Sequence, residues 1–448
     1  MARFPHCSMN GNGEPSGSLP ATTEPRKFLF VSRDGSILDV AWAVAAEGNA
    51  VKLYIEKESE KEVGDGFVEK VEEWQSHADG ADIIVFDHVG SGADVEQLRA
   101  RGKKVIGGTQ YTDRLENDRS FGQEELRRHG VRILHYQEFT EFSVAIEYVR
   151  QHPGKYVIKP SGGIQDFKQL IFVGNEDDGS DVIRVLRAYE RTWGDDIKIF
   201  QLQKRVTGVE ISIAAFFNGS KFLMPINVTF EHKKLFPGEL GVSTGEMGTS
   251  MFWTNRSPIF EATLRKMEGT LAQEGYVGCI DINCIVNGNG IYPLEFTCRF
   301  GYPQVSIQRA GIIDPISTVL IGIAHGRDFA IRTKRGFQVG ALVVVPPFPY
   351  EDLPTFQAFS ENAVIVFKKE SREGVHVQDI QLVNGEWLIT GSMGIALVIT
   401  GTGSTMRDAQ KQMYSRIQNV LIPNMYYRKD IGDRWTEDSD KLWAWGYL

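Results

Sequence analysis

From Lys27 onward the chain alternates short apolar runs with polar, helix-compatible stretches, and this alternation constrains the fold more than any other feature. Phe28–Val31 is an apolar run, followed by the loop Ser32-Arg33-Asp34-Gly35-Ser36, a helix-like stretch from Leu38 to Glu47 and a second apolar run from Ala50 to Tyr54. Ala81–Phe86 and Lys104–Gly107 repeat the theme. Strands separated by helices predict an open parallel α/β sheet. Ligands of such sheets bind beyond the carboxyl ends of the strands. The loops after Val31 and Phe86 are therefore candidate substrate loops, which singles out Ser32, Asp34, Gly35, Asp87 and His88.

The rest of the chain has a different texture. Residues 1–26 are rich in Gly, Pro, Ser, Thr and Asn without periodicity, and read as a disordered extension. Asn117 or Asp118 can cap a helix running to Arg128, and a second helix spans about 141–151. Tyr156–Lys159 and Leu170–Val173 predict a hairpin with a Gly-containing tip, and 197–202 and 210–217 predict strands. Phe260, Leu264, Met267 and Leu271 fall on one face of a helix over 260–274. Short strands then precede a helix from about Met406 to Val420. The expected units are an α/β domain over 27–115, a second domain over 116–335 with a mobile lid at about 155–205, a small mixed β domain over 336–435, and a tail over 436–448.

Composition narrows the class. The net charge of −9 and the lack of an arginine-rich stripe argue against a protein that coats nucleic acid. No apolar run approaches the ~20 residues needed to cross a bilayer, and no secretory core is seen at the N-terminus, which points to the cytoplasm. Cys7, Cys279, Cys284 and Cys298 lack zinc-type spacing and are expected to be reduced, the last three buried. Trp435, Trp443 and Trp445 are expected to pack rather than to stack on bases. Oligomeric state is not legible.

Chemistry concentrates in Gly278–Cys284, the turn Asn287-Gly288-Asn289-Gly290, and Ile291–Gly301. This is a hairpin. With the turn centred on Gly288, Asp281 and Glu295 face each other across neighbouring strands. Two carboxylates so placed repel unless a cation or a proton lies between them, and Mg²⁺ favours carboxylate together with phosphate oxygens. Arg299, four residues on, can reach a transferring phosphoryl group. Lys159 ends its strand before Pro160-Ser161-Gly162-Gly163, where a lysine can meet ATP phosphates beneath a flexible tip. The stretch Gln201–Glu210, including Gln203 and Arg205, offers backbone groups to an adenine edge, and Glu210 can accept from ribose hydroxyls.

In this order the features resemble the ATP-grasp superfamily and, within it, the phosphoribosylamine–glycine ligase family. The likeness runs from about Lys27 to Trp435. Leu115–Phe121 resembles L-E-x-S-K-x-F, Glu231–Lys234 with Thr244–Gly248 resembles D-H-K-R…T-G-G-M-G, Leu294–Pro303 resembles E-F-N-x-R-F-G-D-P, and Tyr427–Gly432 resembles Y-R-x-D-I-G. The resemblance implies a chemistry: ATP phosphorylates the carboxylate of an amino acid, glycine in the family, and an amine attacks the acyl phosphate to give an amide, ADP and phosphate. It implies ATP and Mg²⁺, or Mn²⁺ in its place, as cofactors. It implies that Glu295, Asp281 and Thr297 hold the metal, that Arg119, Lys159 and Lys168 meet ATP phosphates, and that Glu210 binds ribose. His232, Lys233, Thr244, Gly245 and Met247 would line the glycine and acyl-phosphate site, with His232, Lys233 and Arg299 acting in catalysis.

The departures bear on the amine. Where the family has G-N-G-G-R-E-H, this chain has Ser32–Leu38; where the family has G-P-E, it has Asp87-His88 or close to it. Thr297 replaces the family's Asn, and Tyr302 replaces the Asp before Pro303. The lid tip, Gly162–Lys168, is bulkier than the family's. Three readings follow: a ligase with an altered acceptor amine, such as a nucleotide or a modified base in nucleic acid; the purine-pathway ligase itself; or a binding protein with a retired site.

Overall fold

The computed structural model describes residues 24–161 and 170–448. The predicted lid tip with Lys168, most of the predicted N-terminal extension, and Cys7 lie outside the described residues. The first unit is a five-stranded sheet in the order Glu69–Lys70, Ala50–Ile55, Lys27–Ser32, Ile83–Phe86, Val105–Ile106. Every pairing is parallel. The chain builds one way from the first strand and then crosses to its other side, so the order reverses between Lys27–Ser32 and Ile83–Phe86. That reversal opens a crevice at the strands' carboxyl ends. Gly35 turns the chain there at φ +87, and a Cβ at this position would stand 2.8 Å from Val63 Cγ1. Both facts require glycine.

A four-stranded antiparallel sheet follows, within the span predicted as a lid and called the lid sheet below: Tyr136–Phe139, Ile199–Lys204, Tyr156–Ser161 and Phe172–Val173. Phe200, Leu202 and Ile158 bury one face against Phe142, Ile146, Val149, Val182 and Leu186 of the helices Phe142–Gln151 and Ser180–Trp193. Alternation puts Lys159, Gln201 and Gln203 on the other face. Gln201 Nε2 donates to Ser120 Oγ (2.9 Å), so this face turns toward the start of the helix Arg119–Arg128, which Asp118 caps as predicted.

The largest sheet has eight strands: Gly290–Thr297, Val277–Asn287, Val209–Asn218, Ile226–Phe236, Leu240–Thr254, Phe337–Val344, Ile395–Gly403 and Val375–Val377. Ile211, Ile213, Val228, Phe230, Ile280 and Ile282 fill one core. The intervening residues Glu210, Ser212, Glu231, Asp281 and Asn283 necessarily face the other way. The small C-terminal β elements are present as the pairs Val366–Phe367 with Val420–Leu421 and Ile380–Val383 with Glu386–Ile389. The long strands Phe337–Val344 and Ile395–Gly403 instead extend the central sheet.

Two local expectations change. The helix over 260–274 is two helices, Pro258–Ala262 and Leu264–Gln273, because Thr263 closes the first: its hydroxyl donates to Ile259 O (2.6 Å) and its N–H to Phe260 O. The stretch 436–448 carries most of a helix, Trp435–Trp445. Trp435 packs 4.9 Å from the Phe337 ring and 5.3 Å from Phe230, while Trp443 is exposed. Cys279, Cys284 and Cys298 are buried free thiols. Among the described residues, no helix is long and apolar enough to cross a membrane.

Candidate active site

The hairpin Val277–Asn287/Gly290–Thr297 places the acids, but not by the predicted register. Asn287 pairs with Gly290, so the loop is the two residues Gly288-Asn289 and the turn is centred half a residue further on than expected. That shift alone would set Glu295 opposite Ile282 and drive its carboxylate into the apolar core. A bulge prevents this. Cys284 pairs with Pro293 and Asn283 with Glu295, leaving Leu294 as the extra residue. Asp281 therefore faces Thr297 and Glu295 faces Asn283, so the two acids share one face as diagonal neighbours rather than standing directly opposed.

Around them the polar face of the central sheet gathers more charge than the sequence suggested. Lys233 Nζ lies 2.8 Å from Glu210 Oε1 and 3.2 Å from Glu231 Oε2. Burial disfavours its charge, yet Glu210, Glu231 and Glu295 outweigh that and raise it well above the ordinary lysine value. Glu210 also accepts from Asn283 Nδ2 (3.2 Å). Asp281 and Glu246 are both buried and pushed well above the carboxylate range, first by burial and then by Glu231. Asn283 Oδ1 and Arg119 Nε are buried without partners among the described residues. Burial of Asp281 and Glu246 beside Glu231 gives a carboxylate-rich face whose oxygens suit a divalent cation, which Asp281, Glu295 and Thr297 could hold with Glu231 and Glu246 behind them. The sequence reading missed Glu231 and Glu246; their signal was position, since Glu231 sits two residues before Lys233 on the same strand face.

Arg119 Nη1 donates to Glu295 Oε2 (2.9 Å), linking the predicted phosphate contact to the acid pair. Lys159 and Gln203 lie buried on the lid sheet's face directed to that helix start. Arg299 turns elsewhere. Its Nε pairs with Glu116 Oε1 (3.2 Å), and it lines a cavity of about 290 Å³ with Arg33, Asp34, Ser36, Asp87, His88 and Tyr302. This is the crevice at the strand-order reversal, so both predicted loops meet there. Ser32 Oγ donates to Asp87 Oδ2 (2.7 Å) and accepts from Gly35 N (2.9 Å). Asp34 accepts from the Ser36 hydroxyl (2.7 Å). Glu116, which also accepts from Cys298 N (2.6 Å), joins the cavity to the acid face, because Glu116–Arg119 and Glu295–Arg299 run side by side. Glu116 and Arg33 were not singled out as site residues by sequence, and Tyr302 only as a departure from the resembling family.

The contacts of four other predicted residues lie outside the acid cluster. His232 points to the opposite side of its strand from Lys233, where Nε2 accepts from Gly432 N (3.0 Å) and Nδ1 lies 3.3 Å from Glu239. Burial holds it below the ordinary imidazole value, and Arg428, fully buried, stands 3.1 Å away. Met247 belongs to an apolar cluster with Met251, Ile307 and Leu342, because its alternate position on the strand faces that core. Arg205 donates to Gly174 O (2.8 Å) and to Asn175, bracing the lid unit internally. Thr244 donates to Lys233 O (2.9 Å), supporting the irregular pairing beneath Lys233. Gly245 is exposed, with no atom close to where a Cβ would stand.

Comparison with known proteins agrees with this architecture. Residues 117–305 match the family described as phosphoribosylglycinamide synthetase, ATP-grasp (A) domain. That span, 117–305, is similar to an ATP-grasp domain. A phosphoribosylamine–glycine ligase from Streptococcus pneumoniae is 25% identical to the whole chain over 355 residues, covering 76% of this chain and 80% of the relative. One from Pasteurella multocida is 24% identical over 432 residues, covering 91% and 97%. The crystal structure of the Thermotoga maritima phosphoribosylamine–glycine ligase superposes with a TM-score of 0.70 at 20% identity, covering 90% of this chain and 100% of that chain. A biotin carboxylase domain from Hydrogenobacter thermophilus superposes at 0.61 and 12% identity, covering 90% and 92%.

Proposed function

We propose that this protein uses Mg²⁺–ATP to convert the carboxylate of glycine to an acyl phosphate and passes the glycyl group to the amine of phosphoribosylamine. One observation carries the reading: a charged face suited to a metal and phosphates adjoins a separate polar cavity through the paired stretches Glu116–Arg119 and Glu295–Arg299. Two half-reactions need two such compartments with one shared wall. In this reading Lys159 and Arg119 hold phosphates, Gln203 lies toward the nucleotide, and Glu210 with Lys233 orders the polar face. Asp281, Glu295 and Thr297 would hold the metal, which supplies charge neutralisation when bound. Positioning and fixed charge then provide most of the rate.

A second reading keeps the chemistry and changes the amine. It is favoured by the Asp34 and Asp87-His88 loops, which bring carboxylates and an imidazole into the cavity where the resembling family carries G-N-G-G-R-E-H and G-P-E. The test is ADP release with glycine and other amino acids against a panel of amines that includes phosphoribosylamine. Glycine-dependent release with phosphoribosylamine supports the first reading, and release only with another amine replaces it with the second. No amino-acid-dependent release with any amine defeats both.

A further inference from the structure

We infer that Gln304 is a positioning residue for the carboxylate of Asp281, and that a buried ion pair between Asp39 and Arg309 fixes the helix on which Gln304 stands. The inference rests on the ligase reading above, through the cation that Asp281 would hold.

The helix Gln304–Gly311 starts between the two compartments. Tyr302, just before it, donates from its hydroxyl to Asp87 Oδ2 in the cavity (3.2 Å). Gln304, its first residue, donates from Nε2 to Asp281 Oδ2 on the acid face (3.3 Å), and both side chains are buried. Gly301 leaves the space for that amide, since a Cβ there would collide with Gln304 Oε1. One turn on, Gln308 Nε2 donates to Asn227 Oδ1 (3.3 Å), so this face of the helix is tied to the central sheet at two points.

The other face is held by one carboxylate. Asp39 accepts from Arg309 Nη2 on Oδ1 (2.7 Å) and from Arg309 Nε on Oδ2 (3.1 Å), and Ser306 Oγ also donates to Oδ2 (2.9 Å). His376 Nδ1 lies 2.9 Å from Asp39 Oδ2, and His376 Nε2 lies 3.0 Å from Thr400 Oγ1. Burial alone would protonate Asp39, but Arg309 and His376 outweigh it and hold the carboxyl well below the usual range. Asp39 lies in the first turn of the helix Leu38–Ala46, which follows the cavity loop. The cluster therefore joins the helix behind one compartment to the helix that opens onto both.

A buried ion pair adds little net stability over apolar side chains of the same size. The forked guanidinium supplies geometry instead, because two parallel bonds to one carboxylate admit one orientation. The proposed reaction needs that geometry. The acyl phosphate forms beside the acid face and is consumed by an amine from the cavity, and a misplacement of ~1 Å costs about 10²-fold in rate. Carboxylates that hold metals are themselves held by hydrogen bonds from outside, and Gln304 is that partner for Asp281.

The test uses the full-length protein, Mn²⁺ and a non-hydrolysable ATP analogue, with free Mn²⁺ read by electron paramagnetic resonance. Gln304→Met keeps the length of the side chain and removes the donor. Its Mn²⁺ dissociation constant should rise by roughly 10-fold or more. Gln304→Asn, which keeps the amide but shortens its reach, should weaken Mn²⁺ in the same way. A lower melting temperature with wild-type Mn²⁺ affinity in either variant would mean that Gln304 only packs, and overturns its assignment. Asp39→Leu combined with Arg309→Met removes both charges, so that neither is buried alone; Mn²⁺ affinity should fall by roughly 3–10-fold. Ser306→Ala removes one bond to Asp39 and should shift affinity the same way by a smaller factor. Wild-type affinity in both of these variants overturns the role of the ion pair. If the wild type binds no Mn²⁺ with the analogue, the metal assignment and the ligase reading fail, an outcome distinct from unchanged affinity in the variants.

Discussion

Two faces of one strand, Ile226–Phe236, carry consecutive polar residues to opposite ends of the molecule's chemistry. Glu231 and Lys233 face the acid cluster, where Asp281 and Glu246 are buried together and raised well above the carboxylate range. His232, between them, faces a closed network in which Arg428 donates to Asp430, Glu239 and Lys234 O. Asp430 also accepts from Gly238 N (3.0 Å), tying the C-terminal segment to the tip of the adjoining hairpin. A set of His, Glu and Asp this tight could in principle hold a metal, but the Arg428 guanidinium already supplies the cation. The lesson is that clustered charge marks a ligand site only where charge is left over. Where each group has its partner, the cluster is a clamp.

Four experiments break or sharpen that contrast. The largest effect is expected from Glu295→Gln, which removes one charge from the open face; ADP release should fall by roughly 10³-fold, and full turnover would refute the metal assignment. Next, Lys233→Met leaves Glu210 and Glu231 uncompensated. Turnover should drop about 10²-fold and thermal stability should fall as well, so a stable, active variant would remove Lys233 from the site. On the other face, His232→Gln should cost about 1–2 kcal/mol in denaturant unfolding while keeping turnover within about threefold of wild type. A collapse in activity without loss of stability would restore His232 to catalysis.

The smallest effect is a pH dependence. Glu239 is held down at about 2 against an ordinary 4.5, because His232 and Arg428 overcome the opposing effect of burial. A depressed carboxylate binds fewer protons in the folded state than in the unfolded one. Its stabilisation is therefore complete above pH 4.5 and is lost as pH falls through about 2. Acid unfolding of Glu239→Gln should be shallower than wild type across that window; identical curves would show that the clamp does not depend on this charge.

Much of this was legible in the sequence because it depends on spacing. Alternating runs fixed the parallel sheet, and with it the two loops at the crevice, since strand order and carboxyl ends follow from local pattern. The ordered motifs from Leu115 to Gly432 pointed to an ATP-grasp ligase. Tertiary structure decided what spacing could not. A bulge at Leu294 returned Glu295 to the face of Asp281, although the turn alone would have buried it. Strand alternation gave Lys233 to the charged face and His232 and Met247 to the interior. The approach of distant segments brought Arg299 to Glu116, Tyr302 to Asp87, and Arg428 to His232. Side-chain direction changes with a single residue of register, and partners hundreds of residues apart leave no local trace, so the sequence named the chemistry while the packed sheet assigned the residues that can take part in it.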